Sequence, residues 1–269
     1  MPLQQNKALL IILLVTFIDI LGIGMLIPIF PILILPNSNF SVIPVNWTIG
    51  SIYILFGWLS AAFPLAQFIA ASILGQLSDS FGRKKILILS MCGVAFSYLV
   101  FAITIAIKNI PLMFISRFMG GVFCGSVSVA EAVIADISTP INRAKYFGLI
   151  GVAISIGIIF GPFIGGKLSD PEIIYWFNPT TPFYFIAILN IISICIIGIF
   201  LPETLKVKSD KRLSIKTPFH NIYLAFSRPG LRNIIPTIFL FNAGFTSLYV
   251  FAILQPSTNL NYKLYKMPL

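Results

Sequence analysis

Charge is scarce in this chain. Of 269 residues only 10% are charged, 18 Lys and Arg against 8 Asp and Glu, while 58% are hydrophobic. Soluble domains carry about a quarter charged residues. So thin a supply cannot coat a soluble globule of this length, and a mean hydropathy of +0.97 fits a chain whose solvent is mostly lipid. Histidine is nearly absent: His220 stands alone and cannot build a histidine-rich metal or catalytic cluster. The three cysteines, Cys92, Cys124 and Cys195, fall inside apolar runs with no C-x-x-C spacing. They read as packing residues, which argues against a disulfide framework or a metal site. No H-E-x-x-H or G-x-S-x-G pattern occurs, so an enzyme is not expected, and no cofactor is implied. The first apolar run is far longer than the core of a cleavable signal and lacks a small-residue cleavage site. A net charge of +10 raises the question of a nucleic-acid partner. The positive residues, however, lie in short connections between apolar runs rather than along one soluble face, and no nucleic acid is expected.

What is present is long hydrophobic runs. A membrane-crossing helix needs about 20 apolar residues, and seven segments qualify: Ala8–Leu35, Ile49–Leu74, Ile86–Ile107, Leu112–Ile134, Tyr146–Leu168, Phe183–Leu201 and Ile234–Leu254. None alternates with the period of two that a membrane barrel strand requires. Pro36, Pro111 and Pro202 mark segment ends, whereas Pro28, Pro31, Pro64 and Pro162 are interior. Interior prolines are tolerated in a membrane where neighbours or a cavity satisfy the freed carbonyls. One set of connections holds thirteen Lys and Arg, the other set and the tail hold four, and Arg117 lies inside a run. That asymmetry places the N-terminus in the cytoplasm of a multi-pass plasma-membrane protein. The expected organisation is a six-helix bundle over 1–201, a basic cytoplasmic linker over 202–233, a seventh span over 234–254 and a polar tail over 255–269. Within the linker, Pro218–Phe226 reads either as a short surface helix or as solvated chain.

The strip between the second and third runs, Gly75 to Lys85, reads GQLSDSFGRKK and forms a short, charged turn. It resembles the G-x-L-x-D-x-x-G-R-[RK]-[RK] loop of the major facilitator superfamily, with Gly75, Leu77, Asp79, Gly82, Arg83, Lys84 and Lys85 matching. Asp79 and Arg83, four apart, can pair if the strip is helical, and its glycines permit close approach and a tight turn. Three further runs are similar to drug-efflux members. Asp19, Gly22, Gly24, Pro28 and Pro31 follow a D-x-x-G-x-G-x-x-x-P-x-x-P pattern. Arg117-Phe-Met-Gly120-Gly121 resembles an intramembrane arginine motif. Gly157, Gly161, Pro162, Gly165 and Gly166 resemble the G-x-x-x-G-P-x-x-G-G motif of antiporters, and their small-residue spacing supports close packing by itself. Asp136 ahead of Arg143, and Leu201-Pro202-Glu203-Thr204, also look like tetracycline and multidrug efflux sequences.

The resemblance implies an all-α membrane fold with the N-terminal bundle of a major facilitator transporter. It also implies export of small amphiphilic drugs driven by the proton gradient, with the lipid bilayer, the drug and protons as partners and a bacterial inner membrane as the expected location. That family has about twice as many spans. A chain truncated after its seventh span, a transport-inactive remnant and a half-transporter needing another copy are therefore further expectations, with a missing second half as a possible partner. By resemblance, Asp136 joins Asp79 and Arg83 in a gate latch.

Two ionisable groups are deep. Asp19 lies about 17 Å from the cytoplasmic end of its run and Arg117 about 9 Å from the outer end of its own, so their depths agree within about 5 Å. The functional reading has Asp19 bind the coupling proton or a cationic drug while Arg117 tunes it. The structural alternative is an ion pair, or an Asp bonded to backbone freed near Gly22 and Pro28. Glu131 reads as an acid reaching for the membrane surface.

Overall fold

Helices are the economical answer for segments this apolar, because every backbone group is satisfied within the segment. A computed structural model describes residues 2–34, 40–44 and 47–205, together with the single positions Ser227, Ile234, Pro236, Thr237 and Leu240. Apart from those positions, the seventh span and the tail, with nearly all of the linker, lie outside the described residues. The elements are α1 (Pro2–Ile34), α2 (Ile49–Phe81), α3 (Arg83–Ala106), α4 (Ile110–Phe123), α5 (Ser126–Ile137), α6 (Arg143–Leu168) and α7 (Thr181–Phe200). They supply six membrane-length spans, with α4 and α5 together making the fourth.

Local chemistry sets several ends. Thr48 caps α2 by accepting from Ser51 N, and Asn109 caps α4 by accepting from Leu112 N at 2.9 Å. Proline sits in the first turn of α4 and of α7, where no intrahelical N–H is needed. Pro28, Pro31, Pro64 and Pro162 lie inside continuous helices, as membrane helices permit.

α1 packs most extensively on α6 and also against α7, while α3 packs on α7 and α4, and α2 on α4. Aromatic rings join these helices across the interior. Phe30 of α1 meets Phe56 of α2 edge-on at 5.6 Å, and Phe101 of α3 meets Phe183 of α7 at 4.8 Å.

Three expectations change. The fourth span is not one helix but two, interrupted at Cys124 and Gly125. The Gly75–Lys85 strip is not a loop: α2 runs to Phe81, α3 begins at Arg83, and Gly82 alone joins them at φ +110°. Only Gly82 therefore requires glycine for its conformation, and a side chain at Gly75 would meet nothing within 4 Å. Of the cysteines, only Cys124 is buried, whereas Cys92 and Cys195 are exposed on helix surfaces.

Candidate functional site

At the Gly82 end of the bundle the polar side chains converge on Arg83, which is 8% exposed. Its Nη1 lies 2.6 Å from Asp79 Oδ1 and also donates to Ser78 Oγ at 2.6 Å, and its Nε donates to Asp136 Oδ2 at 3.1 Å. The fork of the guanidinium thus ties the end of α2 to the end of α5. Both ion pairs found among the described residues belong to this cluster. Lys84 turns away and donates to Gly198 O at 2.7 Å.

Glu203 completes the cluster, a role that the sequence pattern did not assign. Its carboxylate accepts from the backbone N–H of Arg83 at 2.9 Å and of Lys84 at 3.3 Å, so it caps the N-terminus of α3 from just past the end of α7. Gly82 has no side-chain cap of its own to offer, and a Cβ there would stand 2.5 Å from Glu203 Oε2. A negative charge over free N–H groups at a helix start is favourable. Glu203→Ala is expected to cost about 0.5–1 kcal/mol, the lower part of the capping range because the carboxylate is exposed, and Glu203→Gln less. Thermal unfolding in detergent checks this, and an unchanged midpoint in Glu203→Ala would remove the cap from the account.

Inside the membrane region, Asp19 is 2% exposed and its Oδ2 accepts a hydrogen bond from Ser126 Oγ. Oδ1 has no hydrogen-bond partner. Ser126 is the first residue of α5, so the carboxylate stands at the N-terminus created by the break in the fourth span. The other side of the break is also held: Gln67 of α2 donates to Cys124 O at 3.3 Å, satisfying a carbonyl released by the interruption. Gly125 presses so closely on Leu74 that an added Cβ would lie 2.7 Å from Leu74 Cβ.

Arg117 is buried but does not pair with Asp19. Its guanidinium carbon lies 4.6 Å from the ring centre of Phe63, 5.6 Å from that of Phe30 and 6.0 Å from that of Phe101. The rings supply negative faces in place of a carboxylate. Nε has no hydrogen-bond partner, and Arg117 lines a small cavity of about 10 Å³ together with Ser97, Tyr98, Ser116 and Phe183. Equal depth from sequence thus did not mean contact, because the two side chains point to different neighbours: Asp19 to α5, Arg117 into aromatic rings of α1, α2 and α3.

The glycines of α6 divide by face. Gly157, Gly161 and Gly165 turn to α1, where Cβ atoms would meet Ile20, the Gly24 Cα (2.7 Å from Gly161) and Met25 O. Gly24 is the reciprocal partner, 3.0 Å from the Gly161 Cα by the same construction. Gly22 instead lies under the Tyr98 hydroxyl and Ile186. A Cβ on Gly166 would meet nothing within 4 Å. Glu131 is exposed on α5.

A bundle of six apolar spans, with one buried carboxylate among the described residues at a broken helix and a charged cluster at one end, defines a multi-pass membrane protein. The comparisons give the particular family. The model of the Major Facilitator Superfamily matches residues 12–269, and the chain belongs to that family. It is 30% identical over 222 residues to the tetracycline resistance protein, class B, of Escherichia coli, covering 82% of this chain and 51% of the relative. It is 31% identical over 240 residues to multidrug resistance protein 2 of Bacillus subtilis (strain 168), covering 88% and 54%. Among solved structures, the human organic anion transporter MFSD10 (TETRAN) matches with a TM-score of 0.62 at 26% identity, over 78% of this chain and 50% of that one. The chain spans about half the length of the curated relatives it matches.

Proposed function

We propose that this chain takes part in proton-coupled export of small amphiphilic drugs by alternating access, with its N-terminus in the cytoplasm and a bacterial inner membrane as its site. The carrying observation is Asp19: a carboxylate 2% exposed, one oxygen bonded to Ser126 and the other without a hydrogen-bond partner. Among the described residues it has no ion-pair partner. An unpaired charge inside a bundle costs several kcal/mol, and a proton or an organic cation relieves that cost. Asp19 is thereby suited to exchange one for the other. The Asp79–Arg83–Asp136 cluster acts as a latch on the cytoplasmic side. Phe114, Ile115, Phe118, Met119 and Val122 give α4 an open apolar face. The tetracycline and multidrug resistance proteins support the same substrate class by their names. Because such a site lies between two bundles, a second bundle, from further chain or another copy, is the partner this reading requires.

The test is efflux of tetracycline and of a fluorescent cationic dye from cells producing the chain, with and without an uncoupler. Uncoupler-sensitive efflux is expected, falling at least tenfold, or about 1.4 kcal/mol, in Asp19→Asn at equal membrane abundance. Efflux that persists unchanged in Asp19→Asn would overturn the coupling role.

A further inference from the structure

α5 has a polar contact at each end, each to a different helix. At its first residue, Ser126 donates to Asp19 of α1, and at Asp136, one residue from its last, the carboxylate accepts from Arg83 of α3 at 3.1 Å. The ten residue steps from one to the other span about 15 Å of one uninterrupted helix. Its buried side is apolar, with Val129, Ala130, Val133 and Ile134 all at 0% exposure. It is not continuous with α4: Cys124 and Gly125 leave the helix, and Gln67 holds the Cys124 carbonyl. α5 is thus a short rod, separated from α4 by the break, with the interior carboxylate at one end and the Arg83 cluster at the other.

We propose that Ser126 is a positioning residue through which the charge of Asp19 sets the placement of α5, and that α5 carries that state to the Asp136–Arg83 pair. The inference rests on the reading of Asp19 as the coupling group. As an anion, Asp19 accepts a charge-assisted bond from Ser126 and faces the positive end of the α5 dipole. A proton bound at Asp19 removes the charge, which weakens the Ser126 hydrogen bond and abolishes the attraction to the dipole. The start of α5 is loosened at the break, and a rigid helix loosened at one end moves its other end as well. The groups that share the surroundings of Asp19 are Tyr98 of α3 and Cys124 at the break between α4 and α5. Arg117 of α4 faces the same two residues, and Glu131 sits on the exposed side of α5. α2, α6 and α7 carry no Asp, Glu, Lys or Arg away from their ends.

Hydrogen exchange read by mass spectrometry on the full 269-residue chain in lipid nanodiscs tests this. In Asp19→Asn, amides at 124–127 should exchange about tenfold faster or more. Those at 136–138 and 83–86 should accelerate with them, while 181–184 at the start of α7 stay unchanged. Ser126→Ala should reproduce the pattern, and Ser126→Thr, which keeps the hydroxyl, should restore wild-type exchange. Acceleration confined to 124–127, or a Ser126→Ala chain that exchanges like wild type, overturns the proposal. The unsubstituted chain supplies an arm free of folding defects. After correction for intrinsic exchange, the same two regions should loosen together in acidic buffer, and loosening of one alone counts against the rod. Exchange requires no transport. Linked loosening in a chain without uncoupler-sensitive efflux would therefore sink the proposed function and keep this coupling, and the reverse outcome would do the opposite.

Discussion

Gly161→Val should strongly destabilise the bundle, while Gly166→Ala, five residues away in the same motif, should be silent or slightly stabilising. A Cβ at 161 would lie 2.7 Å from the Gly24 Cα and 2.9 Å from Leu21 O, both backbone atoms of α1. Backbone cannot rotate aside as a side chain can, so α1 and α6 must separate along the most extensive helix contact in the bundle. Overpacking a core costs about 1–3 kcal/mol where side chains can adjust. Here, where they cannot, about 3 kcal/mol or more is expected. At roughly 2–4 °C per kcal/mol for a chain of this size, the unfolding midpoint in detergent should fall by about 6–12 °C. At Gly166 the added methyl meets nothing within 4 Å, and alanine gains up to about 1 kcal/mol in helix propensity. Equal effects at the two positions would mean that this face assignment is wrong. The motif resemblance treats the two glycines alike, and the geometry separates them.

That division shows what the sequence could and could not convey. The six spans of the described residues were legible because apolar length is a local property, written continuously along the chain. The Asp79–Arg83 pair was legible for the same reason, since helical spacing of four brings the side chains together wherever the helix goes. The break at Cys124 and Gly125 was not. Leu112–Ile134 is apolar throughout, and the interruption depends on Gln67 and Leu74 of α2, some fifty residues earlier in the chain. The surroundings of Arg117 were hidden likewise, because Phe30, Phe63 and Phe101 come from three helices and become a cluster only after packing. Glu203 left one faint signal: an acid just beyond a helix end, in a chain with few acids, needs a partner. Its target, the free N–H groups of α3, lies 120 residues earlier and is reached only when the helices between have folded back.

Within the Arg83 cluster, variants should rank Arg83→Ala as most damaging, Asp136→Asn next and Asp79→Asn least, although the strip motif contains Asp79 and not Asp136. Arg83 is 10% exposed by its side chain, against 26% for Asp136 and 47% for Asp79. Asp79 is an i,i+4 neighbour near solvent, where a pair is worth about 0.3–0.5 kcal/mol. Asp136 is the link to another helix, and losing it also frees the end of α5. Removing Arg83 leaves two carboxylates with no cation between them and Ser78 without its donor, at an expected cost of about 2–3 kcal/mol. Arg83→Lys should recover little, because the contacts use Nε and Nη1 of one planar fork and an ammonium cannot reach both directions at once. Thermal unfolding measures the stability ranking, and hydrogen exchange at 136–138 measures the link to α5. If Asp79→Asn proved as harmful as Arg83→Ala, the latch would be the local α2 turn itself, and α5 would have no part in it.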